Sequence, residues 1–185
     1  ESGVTVEIDR SLDAVKAFHR LNCITRKRHG LPPQPYAFFR NIQTHILAKD
    51  NGFVISARHG EKIIAAAVFF HFGTSAIYKY GASDMAYSKW RPNNLVMWEA
   101  IRWYESRNYE TLNMGRTEPD NSGLRRYKLG WGTRESVIKY FRYHLRKREF
   151  VSSPAVVGIV RKRILSRTPL PVLRLIGRVL NKHFG

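Results

Sequence analysis

The chain has 185 residues, 43% of them hydrophobic and 12% aromatic, which suits a globular domain with a real core and excludes a disordered chain. Its net charge of +18, from 32 basic and 14 acidic residues, predicts attraction to nucleic acid, anionic lipid or another anionic ligand. One cysteine, Cys23, excludes an internal disulfide and points to a reducing, cytoplasmic compartment.

In chain order, Val4 to Ile8 alternates as a short strand should. Ser11 or Asp13 then caps a helix to about Arg28, with Leu12, Val15, Phe18, Leu21 and Cys23 or Ile24 as its inner stripe. Gly30 and Pro32-Pro33 stop it, and Tyr36 to Leu47 reads as a second helix. Phe53 to Ala57, Ile63 to Phe72 and Ala76 to Tyr80 form an antiparallel meander, joined by the turns His59-Gly60-Glu61 and Gly73-Thr74-Ser75. The middle strand is almost continuously apolar, so both its faces are covered.

Pro92-Asn93 opens a strong helix to about Arg107, with Leu95, Trp98, Ile101 and Trp103 or Tyr104 turned inward. A strand at Thr111 to Met114 follows, parallel to the one before the helix. A short helix around Leu124 to Lys128 comes next, and a strand from Glu135 to about Tyr143 closes the sheet. The expected class is α/β with a mixed sheet, in the order β-α-α-β-β-β-α-β-α-β.

The domain is placed at residues 1–150, with a basic helical tail at 151–185. From Lys139 onward there are twelve Lys and Arg against the single acid Glu149. The tail reads as two amphipathic helices, Ala155 to Leu165 and Val172 to Phe184. In the second, Leu173, Ile176, Leu180 and Phe184 face one way, with Val172, Leu175 and Val179 alongside and Arg174, Arg178 and Lys182 as a basic stripe. Such helices suit either an anionic membrane surface or packing onto the domain. No signal peptide is visible, and no apolar run approaches the ~20 residues of a membrane span. The abrupt opening on a strand suggests one domain of a longer protein.

Candidate chemistry gathers at one end of the sheet. Tyr80-Gly81-Ala-Ser-Asp84 ends the meander, where a glycine suits either a ligand's close approach or a plain turn. Lys89 to Asn94 brings cations to a helix N-terminus, which suits a phosphate, although capping by Asn93 explains it as well. Gly115-Arg116-Thr117 and Gly123 to Gly132 lie around the same sheet end. There Lys128 is placed to stabilise negative charge developing on a carbonyl, and Arg116, Arg125 and Arg126 to bind phosphate or carboxylate. Asp84 and Glu118 sit at strand ends, where an acid is a candidate general base but more often a turn residue. The seven histidines are scattered, so no metal site is expected.

Four segments together resemble the C-terminal acyltransferase domain of the Fem-type (FemAB-like) family, within the GNAT acyltransferase superfamily. They are Tyr80-Gly-Ala-Ser, Pro92-Asn-Asn-Leu-Val-Met-Trp-Glu-Ala-Ile101, Leu112-Asn-Met-Gly-Arg-Thr117 and Gly123-Leu-Arg-Arg-Tyr-Lys-Leu-Gly-Trp-Gly132. Thr25-Arg-Lys-Arg-His-Gly30, Pro33 and Phe38-Phe39 are also similar. The resemblance implies a GNAT-like fold and a second GNAT-like domain in the whole protein. It also implies transfer of an acyl or aminoacyl group to an amine of a peptidoglycan or polysaccharide precursor. Lys128 matches the family's lysine near the transferred group, while Tyr80, Gly81 and Gly115 to Thr117 match the site lining. The implied donor is aminoacyl-tRNA or acyl-CoA, with no tightly bound cofactor. The loop pattern Arg/Gln-x-x-Gly-x-Gly/Ala of the acetyl-CoA members is missing. The alternative is a non-catalytic basic module that binds RNA or an anionic membrane.

Overall fold

The structure, a computed structural model, describes residues 3–151 and 164–180. The chain divides into two compact units, Glu1–Gly115 with Lys162–Gly185, and Arg116–Arg161.

The first unit is built on a five-stranded sheet in the order β1-β2-β3-β4-β5. Strands β1 (Val4–Asp9), β2 (Gly52–His59), β3 (Lys62–Phe72) and β4 (Ser75–Ser83) pair antiparallel in succession. β5 (Thr111–Asn113) joins β4 in parallel. The expected meander is present, and β1 extends it to four strands.

Helices cover both faces, as the apolar run of β3 demands. Helix α1 (Leu12–Arg28) starts where the Ser11 hydroxyl accepts from Ala14 N at 3.1 Å. With α2 (Tyr36–His45) it lays Val15, Phe18, Leu21 and Phe39 against Val54 and Val68. Helix α3 (Pro92–Glu105) covers the other face, where Tyr104 stacks on Phe53 at 5.4 Å between ring centroids. Phe18, Phe39, Phe53 and Phe69 are fully buried, and each contributes about 1.5–3 kcal/mol to folding. His71 sits in the same layer. Its Nε2 lies 2.7 Å from the Asp50 carbonyl, which only accepts, so Nε2 carries the proton and Nδ1 accepts from the Tyr104 hydroxyl at 3.1 Å.

Several expectations shift. Of the expected α1 stripe, Cys23 is buried but Leu12 and Ile24 are exposed, with Asn22 and Thr25 taking buried positions instead. On α3 the inward positions are Pro92, Val96, Ala100 and Tyr104, four apart, with Met97 beside them, and Trp98 faces water. The small Ala100 lets the helix approach the sheet closely. Helix α2 ends at His45, and a 3-10 turn at Leu47–Lys49 follows.

The α5 helix (Leu170–Leu180) belongs to the first unit. Leu173 is fully buried, and a side chain at Gly177 would collide with the Pro33 carbonyl, so the helix lies directly on the chain after α1. Val172, Leu175 and Val179 remain exposed. The expected tail helix Ala155 to Leu165 lies outside the described residues up to 163, and residues 164–167 are helical.

In the second unit, α4 (Ser122–Leu129) is followed by a two-stranded hairpin, β6 (Arg142–His144) and β7 (Glu149–Val151). The expected strand from Glu135 to Tyr143 closing the sheet is therefore corrected. Residues 134–141 form no strand, and the pairing that wins is local, across the turn 145–148. Closing so short a loop costs less entropy than returning to a three-residue β5.

Candidate functional site

β4 and β5 pair only from Ser75–Thr111 to Ile77–Asn113. Beyond that point the Asn113 side chain accepts from Gly115 N at 2.7 Å and turns the chain. Among the described residues no strand pairs with β4 from Tyr78 to Ser83 on that edge. The register with β3 also skips there: Tyr78 faces Phe69 and Tyr80 faces Val68, so Lys79 bulges. A bulge re-aims side chains and exposes backbone groups, which suits a ligand lying along a strand.

Two glycines shape this edge through one residue. A side chain at Gly81 would strike the phenol of Tyr78. Gly115 has φ +69°, and its Cβ would stand 3.3 Å from the Tyr78 carbonyl oxygen. The structure thus brings the predicted Gly81 and Gly115 to the two ends of Tyr78, which sequence reasoning missed. Tyr80 points elsewhere: its ring is half-buried against Phe39 at 5.6 Å, and burial pushes its phenol up, with Arg26 opposing.

At the end of β4, Ser83 N donates to Thr25 Oγ1 at 3.0 Å, and Thr25 Oγ1 donates to the Ser83 carbonyl at 3.2 Å. This reciprocal pair ties α1 to the strand. Asp84 accepts from Ala86 N at 3.1 Å and from Lys62 Nζ at 2.9 Å. The Lys62 contact holds its carboxyl below the usual carboxylate range, which suits a structural acid better than a base. Asp84 also lines an open pocket of about 540 Å³, with Arg20, Ile24, His59, Lys62 and Ile63.

The helix N-terminus at Pro92 lacks a side-chain cap. Arg91 occupies the cap position with φ +48°, and Asn93 instead donates to Ser83 Oγ at 3.2 Å. A 3-10 helix, Met85–Trp90, precedes it.

In the second unit, Asn121 caps α4 by accepting from Leu124 N at 3.2 Å. The helix exposes Arg125 and Arg126 and buries Lys128, at 8% exposure. Lys128 Nζ donates to the Arg116 carbonyl at 3.0 Å, and burial holds its ammonium below the ordinary lysine range. The Thr133 hydroxyl donates to the Lys128 carbonyl at 3.0 Å, fixing the end of the helix. Arg116 itself is paired with Glu118 at 2.6 Å and faces Tyr140 at 5.3 Å. Arg125 clasps Glu135 through three contacts of 2.7–2.9 Å. Thr117 is half-buried. Of the predicted cations Arg116, Arg125, Arg126 and Lys128, Lys128 is the one withdrawn from water, and its ammonium donates to the Arg116 carbonyl.

A mixed sheet of this order, with one parallel pair splayed beyond its first residues, defines the fold class of the GNAT acyltransferases. Residues 1–130 match the acetyltransferase (GNAT) domain family, and the chain belongs to that family. A lipid II:glycine glycyltransferase of Staphylococcus haemolyticus (strain JCSC1435) is 30% identical over 99 residues, covering 50% of this chain and 24% of that protein. The crystal structure of FemX matches with a TM-score of 0.64 at 16% identity, over 71% of this chain and 50% of that one. The aminoglycoside N-acetyltransferase AAC(6')-Iy, solved in complex with CoA, matches with a TM-score of 0.58 at 14% identity. That match covers 75% of this chain and 95% of the acetyltransferase. The chain is thus a GNAT-family domain similar to Fem-type proteins, spanning about a quarter of the glycyltransferase and half of FemX.

Proposed function

We propose that this domain belongs to a Fem-type N-acyltransferase that transfers an acyl or aminoacyl group to an amine of a cell-envelope or polysaccharide precursor. The acceptor nitrogen attacks the donor's carbonyl carbon, forming the new C–N bond and an oxyanion. Collapse breaks the bond to the leaving oxygen of an aminoacyl-tRNA, or to the sulfur of an acyl-CoA. The leaving group then takes up the proton that the amine gives away. Lys128 stabilises the oxyanion, with Arg116, Thr117, Arg125 and Arg126 of the same unit meeting the substrates' charge; in the first unit, Gly81 and Gly115 leave the β4 edge open to a substrate's close approach.

The observation that carries this role is the burial of Lys128 on the Arg116 carbonyl. A lysine withdrawn from water acts more strongly on developing charge than an exposed one. A developing oxyanion is also a stronger acceptor than a neutral carbonyl. The replacement of a glycine loop by the 3-10 helix before α3 favours aminoacyl-tRNA over acyl-CoA.

The domain works at the cytoplasmic face of the membrane, together with a second GNAT-like domain. The exposed stripe Val172, Leu175 and Val179, flanked by Arg174 and Arg178, favours that location. Among the described residues no helix is long and apolar enough to cross a membrane.

The test offers the full-length protein charged tRNA or acyl-CoA with amine-bearing envelope precursors and follows the product by mass spectrometry. Acylated amine from either donor supports the proposal, and the productive donor identifies the leaving group. No product with either, alongside salt-sensitive binding to RNA or anionic vesicles, would establish the non-catalytic module instead.

A further inference from the structure

We infer that the β6–β7 hairpin is a contact finger for an anionic lipid surface. The hairpin and the segment leading to it, residues 134–151, are exposed throughout. Strand alternation places Phe141 and Tyr143 on one face, and Phe150 stands directly opposite Tyr143. The three rings touch, with centroids 6.1 Å and 5.2 Å apart. They form a continuous aromatic face, with Phe141 74% and Phe150 72% exposed. At the turn, Leu145 is 82% exposed. An apolar face of this kind left in water marks an interaction surface.

The charge around it indicates the partner. Lys139, Arg142, Arg146, Lys147 and Arg148 are interspersed with the rings along the hairpin, and Glu149 is the only acid among residues 136–151. Its one ion pair, to Lys147, is 4.0 Å long. Cations beside exposed rings suit RNA as well as lipid, but the aliphatic tip separates the two. Leu145, followed directly by three cations, gains nothing from stacking on a base, yet it gains by entering hydrocarbon while the cations meet phosphate headgroups. Rings at the base of such a finger fall at the headgroup level, where aromatic side chains concentrate. The segment is separate from the α5 stripe, and its docking role stands whether or not Lys128 stabilises an oxyanion.

The test uses the whole chain with Leu145→Trp as reporter, mixed with phosphatidylcholine vesicles or with phosphatidylglycerol-rich ones, each with brominated acyl chains. Bromine quenching of the new tryptophan on the anionic vesicles only is the expected result. Leu145→Asp and, separately, Arg146→Glu with Lys147→Glu each lower partitioning by roughly tenfold or more. A Val172→Asp, Leu175→Asp variant keeps the quenching at position 145, which separates the finger from α5. Quenching equal on both vesicle types overturns the inference, as does wild-type partitioning of the charge-reversed variant. So does a tRNA complex or a dimer that Leu145→Asp abolishes while lipid binding persists. Position 145 is exposed, so these variants fold; the reporter carries the test should the aspartate variant not.

Discussion

Lys128 Nζ donates to the carbonyl oxygen of Arg116 at 3.0 Å, joining α4 to the loop that leaves β5. The bond ties the cation to a backbone carbonyl. Burial there weakens the lysine's hold on its proton.

Lys128→Met preserves the volume and removes the charge. Turnover of the productive donor falls by about 10²–10³, the range for losing one oxyanion donor. The far-UV circular dichroism stays that of the wild type. Unchanged turnover would remove Lys128 from the chemistry. Because burial lowers the lysine's pKa, Lys128→Arg also lowers the pH sensitivity of turnover on the alkaline side.

The Thr25 hydroxyl both accepts from and donates to Ser83. Thr25→Val has nearly the same shape but leaves a buried N–H and C=O unsatisfied. Urea unfolding should show a loss of about 1–3 kcal/mol per stranded group, partly relieved where water enters. A midpoint unchanged from wild type would show that the pair is replaced without cost.

Gly115→Ala meets two obstacles, a positive φ and the Tyr78 carbonyl. The backbone alone costs about 1–2 kcal/mol for a residue with a Cβ. Thermal unfolding checks the loss, and acceptor KM reports whether the β4 edge has moved. A full wild-type profile would show that the loop relaxes freely.

Gly177→Leu cannot be seated against Pro33. Helix α5 lifts and Leu173 is exposed, forfeiting about 1.5–3 kcal/mol. Hydrogen exchange at residues 170–180 should rise while that of β2 and β3 stays slow. Equal protection in the variant would mean that another contact holds the helix.

His71 is held below its ordinary value of 6.5, first by burial, with the Asp50 carbonyl opposing. His19 is lowered in the same way by burial. The unfolded chain therefore binds more protons than the folded one just below pH 6.5, and stability rises with pH across that window. Melting temperature should fall as pH goes from about 7 to about 5, and less steeply in His71→Asn. Equal slopes in the two proteins would refute the assignment.

Much of the fold is legible in the sequence. The Ser11 cap, the Pro92 start of α3 and the apolar run of β3 each follow from short-range rules of capping, fixed φ and burial. Together they yield the element order as far as α4. The place of Lys128 between Tyr127 and Gly130 is readable in the sequence, whereas its burial on the Arg116 carbonyl is not. Nor is the place of Tyr78, since nothing in its neighbours reveals that two glycines, one of them beyond α3, would close on it.

Local pattern thus determined which segments are helix or strand as far as α4, the mixed sheet, and the concentration of positive charge toward the C-terminus. These depend on periodicity and composition within a few turns of chain. Tertiary structure decided which face of α3 packs, that Asp84 is bound by Lys62, that β6 pairs with β7 and not with the sheet, and that α5 rests on Pro33. Each of these is a competition between partners far apart in sequence. Its outcome turns on loop-closure entropy, on the space left by a glycine, or on a hydrogen bond that only the folded chain can form.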